Sequence, residues 1–76
     1  MSSEQGVTYL WDFFGPNAEG TAAHFEVHLR QFLDEHGIAD CETGIESEGE
    51  GHHAARCSTP AGNDVIERAL KPRRRR

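Results

Sequence analysis

Val7-Thr8-Tyr9-Leu10-Trp11-Asp12-Phe13-Phe14, followed at once by Gly15-Pro16, is the stretch that decides the fold. It is rich in aromatic and β-branched residues and ends at a turn dipeptide, the pattern of a strand with a breaker. Side chains alternate across a strand. Val7, Tyr9, Trp11 and Phe13 therefore make one wholly apolar or aromatic face, and Thr8, Leu10, Asp12 and Phe14 make a mixed one.

Working outward, Ala22, Phe25, Leu29, Phe32 and Leu33 recur at helical spacing and predict a helix over about residues 18–36. Asn17 stands where a cap belongs, with Glu19 in the first turn. Gly37 is the expected left-handed stop, and Ile38 can fold back on Leu33. Residues 41–48 and 52–59 read as a β-hairpin around Gly49-Glu50-Gly51, with Ile45 facing Ala55 and Arg56 lying diagonally between Glu42 and Glu46. In that register Cys41 and Cys57 are diagonal, too distant for a disulfide, whereas a turn centred on Gly49 would set them directly opposite and allow one. Thr59-Pro60 predicts the start of a last helix carrying Val65, Ile66, Ala69 and Leu70, ended by Pro72.

The order βαββα predicts a small two-layer α+β sandwich. A helical crossover makes strands 1 and 2 parallel, and the hairpin sets strand 3 antiparallel to strand 2. Strand order 1-3-2 satisfies both, with two helices on one face, a ferredoxin-like topology lacking its last strand. Residues 1–72 form the single domain in this reading, and 73–76 a disordered basic tail. No motif ties the chain to a family, and architecture alone does not carry function.

At 76 residues there is room for one domain with a thin core, burying about 60% of the unfolded chain's surface. A Rossmann enzyme or a two-domain cleft is excluded. No stretch approaches the roughly 18 apolar residues of a membrane span. Met1-Ser2-Ser3-Glu4-Gln5 has no secretory pattern, and two cysteines make no disulfide framework, so the expected setting is cytoplasmic with reduced thiols. The net charge of −5 divides into an acidic body and a basic end. Residues 1–70 hold all 13 acids but only Arg30, Arg56 and Arg68, while 71–76 hold Lys71 and four arginines. Such a body repels phosphates, so nucleic acid is a disfavoured partner.

Chemistry-bearing groups fall into three places. The uncovered face of a three-stranded sheet would display Leu10, Asp12, Phe14, His52 and Arg56, with Glu46 beside them, as a binding patch. Asp12, His52 and Arg56 there also suit acid-base work or an anion, but an open face excludes water poorly. His24 and His28, four apart on the helix, are metal candidates, although no third ligand is fixed by spacing and the stretch is not H-E-x-x-H. Arg73, Arg74, Arg75 and Arg76 are candidates for phosphates or an acidic partner, or for the chain's own carboxylates. Gly49-Glu50-Gly51-His52-His53-Ala54 fits G-x-G-x-x-A but opens no helix, so it is no dinucleotide site.

The sequence therefore points to a small non-catalytic binding module, without cofactor, that self-associates through its open sheet face or an edge. Three other classes stay open: a metal binder using His24 and His28, an enzyme whose site closes at a dimer interface, and a nucleic-acid or acidic-partner binder using the arginines.

Overall fold

The computed structural model describes residues 6–76, so the reading of Met1 to Gln5 lies outside the described residues. The chain runs β1 (Val7–Phe14), α1 (Ala18–Glu35), β2 (Glu42–Gly49), β3 (His52–Thr59), α2 (Asp64–Leu70) and β4 (Arg74–Arg75). It is an α+β chain with one sheet in the order β2-β3-β1-β4, every neighbouring pair antiparallel. The sheet has four strands rather than the expected three. Residues 73–76, expected as a disordered tail, lie along β1. Thr8 and Arg76 exchange backbone hydrogen bonds, each 2.8 Å, and Arg73 N–H donates to the Leu10 carbonyl at 2.9 Å. A strand edge offers unpaired backbone groups to any segment of suitable geometry, and β4 takes them up on β1.

The odd face of β1 builds the core. Tyr9 and Trp11 pack with Leu29 and Leu33 of α1, Ala55 and Cys57 of β3, and Ile66 of α2, while Phe13 and Phe25 flank them. Trp11 meets Phe25 at 5.1 Å between ring centroids. Buried aromatic residues need partners for their polar ends. Trp11 Nε1–H donates to the Leu70 carbonyl at 2.9 Å, and the Tyr9 hydroxyl donates to Glu67 and accepts from Asn63 N–H. The polar ends of β1 thus fasten α2 to the sheet.

Helix α1 ends as its sequence implies. Gly37 has φ 67°, Ile38 N–H donates to Leu33 O at 2.8 Å, and Gly37 N–H to Asp34 O at 3.2 Å. Asn17 occupies the cap position without a side-chain cap bond. The second helix begins later than Thr59-Pro60 implies. Thr59 is the buried last residue of β3, and Asn63 caps α2, its side chain accepting from Ile66 N–H at 3.1 Å. Asn at the cap with acidic residues in the first turn is the stronger start signal. In the hairpin Ile45 faces Ala55, and a bulge at Glu48 brings Gly49 opposite His52. No helix among the described residues is long and apolar enough to cross a membrane.

Candidate functional site

Alternation places Leu10, Asp12 and Phe14 of β1 beside His52, Ala54 and Arg56 of β3, with Glu42, Gly44 and Glu46 of β2 beyond. This much was legible in the sequence. What changes the site is β4, which adds Arg74 directly opposite Leu10. Leu10 now lies between Arg56 and Arg74 on neighbouring strands, and its exposure is 0%. Arginine stems cover apolar surface while their heads seek charge. The expectation that Leu10 is displayed to a partner is therefore corrected: the tail and its ion pairs sit over it.

Asp12 is the centre of the cover. Arg74 binds it through two nitrogens, Nε to Oδ2 at 2.9 Å and Nη2 to Oδ1 at 2.6 Å, and His52 Nε2 meets Oδ1 at 2.8 Å. Two parallel N–H bonds to one carboxylate are the strong form of this pair. Arg74 also approaches Glu48 at 3.2 Å. Arg76 donates to Glu46 at 2.6 Å, and Arg56 lies 3.5 Å from the same carboxylate. Across Gly44 the Arg56 guanidinium lies so close that a β-carbon there would meet it. On the other side of β4, Arg75 pairs with Glu67 at 3.4 Å. Of the tail arginines, Arg73 alone has no ion pair among the described residues.

Burial works to raise the Asp12 pKa, but hydrogen bonds and charge from Arg74 and His52 outweigh it and hold the carboxyl below its ordinary value. Glu48 is likewise held low against its burial, by Arg74 and Glu46. A carboxyl depressed in the folded state stabilises that state above its ordinary pKa of about 3.9, and the contribution is lost as pH falls through the depressed value. Acidification below about pH 4 should therefore release β4 before the core opens, and added salt should promote release at higher pH because the pairs are partly exposed. Amide exchange at Arg73 and Arg76, compared with core amides of β1, checks this. Equal protection at all pH values would count against it.

The remaining candidates separate. Phe14 is exposed at 67% and stacks on His52 with centroids 4.3 Å apart. Arg56 does not reach Asp12, so the expected convergence of Asp12, His52 and Arg56 reduces to the Asp12–His52 pair, with the carboxylate also held by Arg74. Two shallow concavities lie elsewhere. One runs between Gly37–Cys41 and Thr59–Asn63, the other between Tyr9, Glu67 and Lys71–Arg75. Cys41 and Cys57 are free, Cys41 half-buried and Cys57 buried. Burial, with Cys41 adding in the same direction, pushes the Cys57 thiol up to about 12. His24 and His28 meet on the exposed side of α1, Nε2 to Nε2 at 3.0 Å, and among the described residues no third His, Cys, Asp or Glu joins them.

No family model, curated protein or solved structure matches this chain.

The sequence reading left Arg74, Arg76 and Glu48 out of the sheet-face binding patch, although it offered the chain's own carboxylates as one partner of the arginines. The available signal was a sheet face bearing Asp12, Glu46 and Glu48 with Arg56 as its only strong cation, beside a cationic segment long enough to reach it.

Proposed function

We propose that this protein is a small non-catalytic binding module whose partner is a second copy of itself, docked edge to edge along β2. In this reading the sheet order is ferredoxin-like with a minimal last strand, so β4 closes one edge and leaves the other for association. The observation that carries the proposal is that β2 has no strand on its outer side among the described residues. Unpaired edges of this length invite another strand.

The sequence of β2 suits a two-fold partner. Antiparallel pairing centred on Ile45 sets Ile45 against its own copy, Thr43 against Ser47, and Gly44 against Glu46. Ile45 is 40% exposed in the single chain, so the pairing would cover an apolar side chain at the axis. The obstacle is Glu42, which this register sets opposite Glu48 twice by symmetry, because like charges directly opposite destabilise a ladder. Glu46 and Glu48 already have arginine partners in their own chain, which lowers that cost. A non-catalytic role agrees with Asp12 being held by Arg74 as well as His52. Reduced Cys41 and Cys57 suit the cytoplasmic setting expected from the sequence. Engagement of Arg74, Arg75 and Arg76 by the chain's own carboxylates argues against phosphate binding by the tail.

Sedimentation velocity on the full chain is expected to give a dimer at micromolar concentration. Ile45→Lys should give a monomer with an unchanged circular dichroism spectrum, because the new charge meets its own copy at the axis. A wild-type monomer throughout, or a dimer untouched by Ile45→Lys, would overturn the proposal.

A further inference from the structure

His24 and His28 are exposed on a helix whose opposite face is fixed by Ala22 and Leu29, at 0% and 1% exposure. Their ring centroids are 4.5 Å apart, yet their Nε2 atoms are only 3.0 Å apart. The nitrogens are the near ends of the two rings, so the directions from ring centre to Nε2 converge. Two neutral imidazoles in this position share one proton contact, with one Nε2–H donating to the other Nε2.

An ion bound by both nitrogens sets their separation through its coordination angle. With metal–nitrogen bonds of about 2.05 Å, cis ligands at a right angle stand about 2.9 Å apart, and tetrahedral ones about 3.3 Å. The observed 3.0 Å is close to the right-angle value. Tetragonal geometry with imidazole nitrogen ligands is the preference of Cu²⁺ and Ni²⁺, which also stand high in divalent affinity order. Room for further ligands is available. Gly20, one turn before His24, has no side chain, and a β-carbon there would have nothing within 4 Å.

We propose that His24 and His28 form a bidentate site for one tetragonal divalent transition-metal ion of the Cu²⁺ or Ni²⁺ kind, with water in the remaining positions. On binding, the ring that donated its Nε2 proton takes the tautomer protonated at Nδ1, and both Nε2 lone pairs go to the metal. No net proton is released from the two rings. The site is independent of strand pairing along β2.

The test is a titration of the full-length, metal-free protein with Cu²⁺, followed by paramagnetic broadening of amide resonances and repeated with Ni²⁺ by calorimetry. One equivalent should broaden α1 resonances around residues 24–28 first. Either His24→Ala or His28→Ala should weaken binding by at least about tenfold, since even outer-shell losses cost that much. Both substitutions are at exposed positions, and helix content by circular dichroism confirms that the fold is kept. His52→Ala should leave the affinity unchanged. Broadening centred on His52 and His53, wild-type affinity in either alanine variant, or no binding would overturn the proposal. Repeating the titration on Ile45→Lys separates this result from the self-association reading, because the metal site should survive there.

Discussion

Leu10→Ala is expected to lower the free energy of unfolding by about 2–3 kcal/mol, in the lower part of the range for buried leucines. On a sheet face open to water the same substitution would change stability by about 0.5 kcal/mol or less. The experiment therefore reads whether residues 73–76 cover that face. The lower part of the range applies because Arg56 and Arg74, which flank Leu10, have flexible stems that can settle into part of the vacated space. Urea denaturation followed by fluorescence is suitable, since Trp11 is the single tryptophan and is buried. A double-mutant cycle sharpens the result. In an Arg74→Ala background the cost of Leu10→Ala should shrink, because residues that share a contact do not add. An unchanged cost in that background would mean that something other than the tail shields Leu10.

Trp11→Ala carries the largest expected loss, about 3–5 kcal/mol. A chain of this length has a total stability of only about 4–11 kcal/mol. The variant should be largely unfolded in mild denaturant and partly so without it. Two contributions combine in that figure. The ring leaves a cavity against Phe25 and Tyr9, and the Leu70 carbonyl at the end of α2 loses its indole donor. Trp11→Phe separates them: it keeps most of the aromatic volume and gives up the hydrogen bond, worth about 1 kcal/mol, plus some packing. Far-ultraviolet circular dichroism is the appropriate probe, because the substitution removes the fluorophore. If Trp11→Phe cost as much as Trp11→Ala, the hydrogen bond rather than ring packing would dominate.

The parts of the fold that were legible rest on local rules. Alternation in Val7–Phe14 separated the core face from the charged face. The spacing from Ala22 to Leu33, with Gly37 and Ile38 after it, gave a helix within a residue of its observed end. Pairing of Ile45 with Ala55 followed from turn position alone. Where the reading went astray, the deciding interaction is distant in sequence. Four adjacent arginines look like self-repelling charge until Asp12, Glu46 and Glu48, which come from two different strands, are brought onto one face by the register. The start of α2 was misplaced for a different reason. Proline is tolerated at the first helical position, but Thr59 was already used to end β3, where its hydroxyl bonds the Val7 and Ala61 carbonyls. At the candidate site, the juxtaposition of Asp12 and His52 was foreseeable from strand pairing, whereas the concealment of Leu10 required β4.

Cys57 gives the molecule a built-in clock. Burial raises its pKa and leaves it no exposed surface, so the thiol is held protonated and out of reach at neutral pH. In the unfolded chain the same thiol recovers ordinary reactivity. At reagent concentrations where alkylation outpaces reclosing, Cys57 should be modified only as fast as the sheet comes apart, so the labelling rate counts opening events one molecule at a time. Half-buried Cys41, which lines the groove between the two loops, should be modified sooner, and the interval between the two reactions would time local loosening against global unfolding.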